Sequence, residues 1–137
     1  MNGRSDLYLD GEWVASTEQT ADGKHQITQP LKNSNQPLQF GSGPRRWLRP
    51  DEPGYMLHDG SLGEVRIWST ARTAEDIAES WDRSVATDSA GLVGYWQFNE
   101  QDGQVVSDVS PYANHGQLGS SAEAEDSDPS RSPAEIQ

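Results

Sequence analysis

Gly60-Ser61-Leu62-Gly63-Glu64-Val65-Arg66-Ile67-Trp68, Ser69-Thr70-Ala71-Arg72 and Thr73-Ala74-Glu75-Asp76-Ile77-Ala78-Glu79-Ser80-Trp81 form one continuous stretch, and its reading decides the fold. The first part is a strand whose side chains alternate. Leu62, Glu64, Arg66 and Trp68 share one face; Gly63, Val65 and Ile67 share the other. A short turn follows. Thr73 is placed to accept from the amide three residues on, and Asp76 to reach back, as in a capping box. This predicts one short helix over about 73–82, with Ile77 and Trp81 on one face.

Working outward, the rest of the chain reads as β-rich. Leu7-Tyr8-Leu9-Asp10-Gly11-Glu12-Trp13-Val14-Ala15 is a hairpin signal, because Asp-Gly tolerates the positive φ angles of a type I′ turn. Short strands are predicted at His25–Gln29 and Pro37–Gly41. Ser42–Tyr55 is a long loop with three prolines, Pro44, Pro50 and Pro53. Gly91-Leu92-Val93-Gly94-Tyr95-Trp96-Gln97-Phe98 is a strong strand, Val105–Val109 is short and extended, and Pro111–Gly116 is a turn. Ser121–Gln137 holds five acids, one base and two prolines, with Ile136 its one large apolar residue. Such a segment buries too little surface to offset its ordering entropy. The expected division is therefore a folded domain over 1–119 and a disordered acidic tail over 120–137.

Composition sets further bounds. The 137 residues, 32 % of them hydrophobic, suit one domain with long turns. Acids outnumber bases 22 to 10, for a net charge of -12, so a nucleic-acid partner or an anionic lipid surface is disfavoured by repulsion. No cysteine is present, which removes disulfides and thiolate chemistry. No apolar run approaches the ~20 residues that span a bilayer, so no membrane insertion is expected. Residues 1–20 lack the order of charged, apolar and small residues of a secretory signal.

Three segments, in order, resemble laminin-G-like and pentraxin-like domains of the concanavalin A-like superfamily. Leu7–Val14 looks like the "LYVDGxLV" hairpin, and Gly60–Ile77 like the "GxIxEVRIWxxARTxEEI" strand, turn and helix. Gly91–Gly116, with Asp108, Ser110, Asn114 and His115, looks like "GLVGYWxFNEGxGxxVxDxSxxxNHG". The resemblance covers roughly half of the chain and implies an all-β jelly-roll sandwich of two antiparallel sheets. Family domains carry several strands before the hairpin, and here six residues precede Leu7. The domain is therefore expected to be partial, completed by a homo-oligomer partner or a neighbouring domain. Gly91–Gly116 is similar both to a closing segment and to the opening of a next domain.

The resemblance implies a non-catalytic binding module for carbohydrate or a protein ligand, in an extracellular or cell-surface parent protein. Calcium is the cofactor it implies. Asp51 and Glu52 lie in the loop where such relatives hold the ion, and Asp108 and Asn114, with Asp102 and Ser110, form a second acidic turn. Asx-turn chemistry explains the second group without a cation. For a glycan, Trp47 between Arg46 and Arg49, with Tyr55, is the candidate aromatic cluster; a tryptophan stacked under arginine on the sheet is the plainer account. The three carboxylates that glycosidases of this fold place along one strand are missing from the sequence, so no enzyme activity is expected. The alternatives are a structural or oligomerisation spacer with no ligand, and a remnant of a glycoside-hydrolase-like enzyme.

Overall fold

The computed structural model describes residues 5–17, 37–44, 55–57, 60–126 and 128–131. They form short antiparallel strand pairs and one short helix, in keeping with an all-β class. Contacts group the chain into two units, one within Met1–Pro37 and Ala71–Val85, the other within Leu38–Thr70 and Ala86–Gln137.

In the first unit, β1 (Ser5–Leu9) and β2 (Glu12–Thr17) form the predicted hairpin. Asp10 and Gly11 have φ of 50° and 80°, the left-handed pair that a two-residue turn matching strand twist requires. Leu7 faces Ala15 and Tyr8 faces Trp13, so Val14 is an extra residue in a β-bulge. The Trp13 indole N–H donates to Asp6 at 3.2 Å. The helix α1 (Ala74–Ser80) starts where the capping box predicts. Asp76 N–H donates to Thr73 Oγ1 at 3.1 Å, and Thr73 N–H to Asp76 Oδ2 at 3.2 Å. These bonds matter because a seven-residue helix is marginal by itself. The amide of Thr73, then its hydroxyl and the Arg72 charge, hold the Asp76 carboxyl below the usual range. Trp81 caps the C-terminus and lies against the hairpin turn: a Cβ on Gly11 would fall 2.5 Å from its indole.

In the second unit, β3 (Ser42–Pro44) pairs with β4 (Tyr55–Leu57), closing the ends of the proline-rich loop. The strand predicted at Pro37–Gly41 is instead irregular chain, and pairing begins only at Ser42. The apolar alternation there has another use, since Phe40 packs edge-on against Trp96 with ring centroids 5.6 Å apart. Pro44, without an N–H, ends β3. The predicted strand at His25–Gln29 lies outside the described residues.

The ladder of β5 (Val65–Trp68) and β6 (Leu92–Trp96) carries the core. Leu92, Tyr95 and Trp96 are buried there, joined by Val106 of β7 (Val105–Val106), which pairs with β8 (Gly116–Gln117). The opposite edge of β6 is used too. Trp96 bridges Asp108, and Val109 N–H donates to Tyr95 O at 2.8 Å. Gly94 is required within β6 because the Trp96 ring folds back over it and occupies the space of a Cβ. From Ser120, the tail expected to be disordered includes described residues with hydrogen bonds to the 100–105 segment.

Candidate functional site

A connected polar arrangement sits around Tyr95. Tyr95 directs its own N–H and C=O toward Asp108 and Val109, away from β5. It therefore faces Arg66 of β5 as a non-hydrogen-bonded pair, the kind in which side chains approach closely. The Arg66 guanidinium lies 5.4 Å from the Tyr95 ring centroid, a cation–π contact, and forms an ion pair with Glu64. Tyr95 O–H donates to Glu64 Oε2 at 2.8 Å and accepts from the Gln97 amide at 3.1 Å. Glu64 and Arg66 thus share a face, as the strand alternation predicts. Tyr95 is fully buried at 0 % exposure, so it serves as the base of this polar face.

Asp108 organises the adjoining loop. It is 3 % exposed and accepts three backbone amides: Tyr95 at 2.8 Å and Ser110 at 2.9 Å on Oδ1, and Asn114 at 2.8 Å on Oδ2. Its own N–H donates to His115 Nδ1 at 3.1 Å, which leaves the imidazole proton on Nε2. The loop is closed further by Tyr112 N–H on Ser110 Oγ at 3.3 Å and by Trp96 Nε1–H on the Asn114 carbonyl at 3.2 Å. Burial pushes the Asp108 carboxyl up. The bonds from Ser110, Tyr95 and Asn114 outweigh it and hold the group below the usual carboxylate range. A carboxylate bonded in this way fixes a loop by its charge.

A second carboxylate works similarly. Glu100 Oε1 accepts Ser107 N–H at 2.6 Å, and Oε2 pairs with Arg131 at 3.2 Å. Burial raises its pKa, and the amides of Ser107 and of Glu100 itself, then the Ser107 hydroxyl and Arg131, more than reverse this.

The sequence-predicted sites fall as follows. Arg46, Trp47 and Arg49 lie outside the described residues, as do Asp51 and Glu52. Tyr55 is the first residue of β4. Asp108 and Asn114 are brought together, with the bond made by the Asn114 amide. The Asp108–Ser110 contact has the form of an Asx turn. Asp102 is exposed at a separate turn. Among the described residues, no group of three His, Asp or Glu side chains is placed to hold a metal, and no helix is long and apolar enough to cross a membrane. Sequence reasoning missed Arg131, whose partners are 26 to 31 positions away. It also missed the Tyr95 hydroxyl, whose link to Glu64 depends on the β5–β6 register. No family profile, curated protein or solved structure matches the chain.

Proposed function

We propose that this chain is a laminin-G-like, concanavalin A-like jelly-roll module that binds a carbohydrate or a protein ligand without catalysis, assisted by calcium, in a secreted or surface protein. One observation carries the reading. The β5–β6 ladder joins two of the three segments that resemble the family, and Asp108 locks the signature loop of the second onto Tyr95. That pairing supports Gly91–Gly116 as the closing segment of the same domain. Loops anchored by buried carboxylates to short strands are a stable mounting for a recognition surface.

The experiment is a glycan array with and without calcium, run on the wild-type chain and on Trp47→Ala. Selective glycan binding that needs Trp47, with a melting temperature raised by calcium, is the expected result, since a ligand that binds only the folded form must stabilise it. An array with no signal in either condition, and no calcium shift, refutes the carbohydrate reading.

A second reading, a structural spacer without a ligand, is favoured by the inward use of charge. Asp108, Glu100 and Glu64 all bond within the chain. A blank array together with full thermal stability would select it.

A further inference from the structure

One guanidinium sits among oxygens that converge from a single short segment. Arg131 Nη2 donates to Gly103 O and Val105 O, each at 2.9 Å, and Nε donates to Gly103 O at 3.2 Å. Nη1 donates to the Glu100 carbonyl at 3.3 Å and to Glu100 Oε2 at 3.2 Å. All three nitrogens of the planar group are therefore engaged, by three backbone carbonyls and one carboxylate. The Arg131 side chain keeps 19 % exposure, so most of the group is out of water, where charge-assisted bonds are strongest.

The oxygens are set in place by bonds that do not involve Arg131. Gln104 O accepts Leu118 N–H at 2.8 Å in continuation of the β7–β8 pairing, so the carbonyls of Gly103 and Val105 on either side of it turn the other way. Further along that same side the chain is already committed. Ser107 N–H donates to Glu100 Oε1 at 2.6 Å, and Val109 N–H donates to Tyr95 O at 2.8 Å. The first of these bonds fixes the Glu100 carboxylate and leaves Oε2 for the guanidinium. Gly103, at φ 79°, supplies the turn between Glu100 and β7. The result is a bounded cradle of acceptors with no donor facing the guanidinium among the bonds that shape it.

We propose that Glu100, Gly103 and Val105 form a guanidinium-binding site, filled here by Arg131 of the same chain and able to take the arginine side chain of a peptide when Arg131 is withdrawn. The chemical class follows from the group that fits. A guanidinium spreads five N–H donors over a rigid fork, which these acceptors match, whereas an ammonium is a compact point charge that cannot reach them all. The net charge of -12 adds a long-range attraction for any cation. Arg131 excludes a free arginine because its tether gives it a high effective concentration at the site. The site uses neither Trp47 nor calcium, so its failure and that of the carbohydrate reading are separate results.

The test uses the full chain as wild type and Arg131→Ala, titrated with Nα-acetylarginine amide and, for comparison, Nα-acetyllysine amide at equal ionic strength. Amide NMR shifts over residues 103–107 read occupancy of the cradle. R131A is expected to give saturable shifts there with the arginine compound, at a midpoint at least tenfold lower than with the lysine compound and at least tenfold lower than wild type shows. Its melting temperature should rise along the same titration, because the ligand binds the folded form. Near-UV circular dichroism from Trp96 checks that the variant is folded; if R131A does not fold, Arg131→Gln takes its place with the same readouts. No saturable shift in the variant overturns the site. Equal midpoints for the two compounds overturn recognition of the guanidinium fork, and equal midpoints for variant and wild type overturn Arg131 as the occupant that must be displaced.

Discussion

Replacing Asp108 by alanine removes one carboxylate and strands three amide donors. Tyr95 and Ser110 are buried, so their N–H groups lose a partner with no water to replace it, whereas Asn114 is exposed and its amide can be hydrated. At about 1–3 kcal/mol for each buried unsatisfied donor, the two together cost ~2–6 kcal/mol. That is a large share of the ~5–15 kcal/mol that holds a typical domain together. Asp108→Asn keeps Oδ1 for Tyr95 and Ser110 but sets an NH2 against the Asn114 amide, for an expected cost of ~1–3 kcal/mol.

Urea unfolding at pH 7, followed by tryptophan emission, measures both variants, and their pH dependence gives an independent check. Because the folded Asp108 pKa lies below the unfolded one, its contribution is complete above about pH 4 and is lost as the pH falls through the folded value. D108N should therefore lose part of the acid sensitivity of the wild type. Glu100 and Asp76, which are also held low, contribute acid sensitivity in the same sense. A D108A variant within about 0.5 kcal/mol of wild type, the range of an ordinary surface change, would refute the argument.

Other substitutions test other joints. Gly94→Ala drives a methyl into the Trp96 ring and should cost ~1–3 kcal/mol, visible as a lower melting temperature and a red shift of indole emission. Thr73→Ala removes the N-cap acceptor of α1 and should cost about 1 kcal/mol, with a loss of far-UV helical signal. Tyr95→Phe deletes the hydroxyl between Glu64 and Gln97; the expected loss is ~0.5–1.5 kcal/mol in urea unfolding, and a neutral result would mean that the bonds to that hydroxyl add nothing net.

Local chemistry made part of this legible in the sequence. Asp10-Gly11 specifies its turn through two positive φ angles, and Thr73 with Asp76 specifies a helix start through bonds three residues apart. The strand Leu92–Trp96 stands out because a run of large apolar residues has to be buried. What stayed hidden depends on partners distant in the chain. Gly116–Gln117 has no strand propensity and becomes β8 only because Val105–Val106 lies beside it. Leu38 and Phe40 alternate like a strand, yet Phe40 meets the Trp96 ring outside any ladder. At the candidate site, Asp108 was legible as a turn residue, but its bond to the Tyr95 amide, 13 positions away, was not. Arg131 sits among acids and prolines, where composition alone describes a solvated charge.

Gly11 illustrates what such a scaffold does to the record of mutation. The turn demands a backbone that side chains resist, and the Trp81 indole takes the volume that even a methyl would need. Two unrelated vetoes fall on one atom's worth of space. In a saturation library, this position should therefore be as intolerant as any ligand-contacting residue on grounds of folding alone, so intolerance at Gly11 reports assembly of the hairpin and helix.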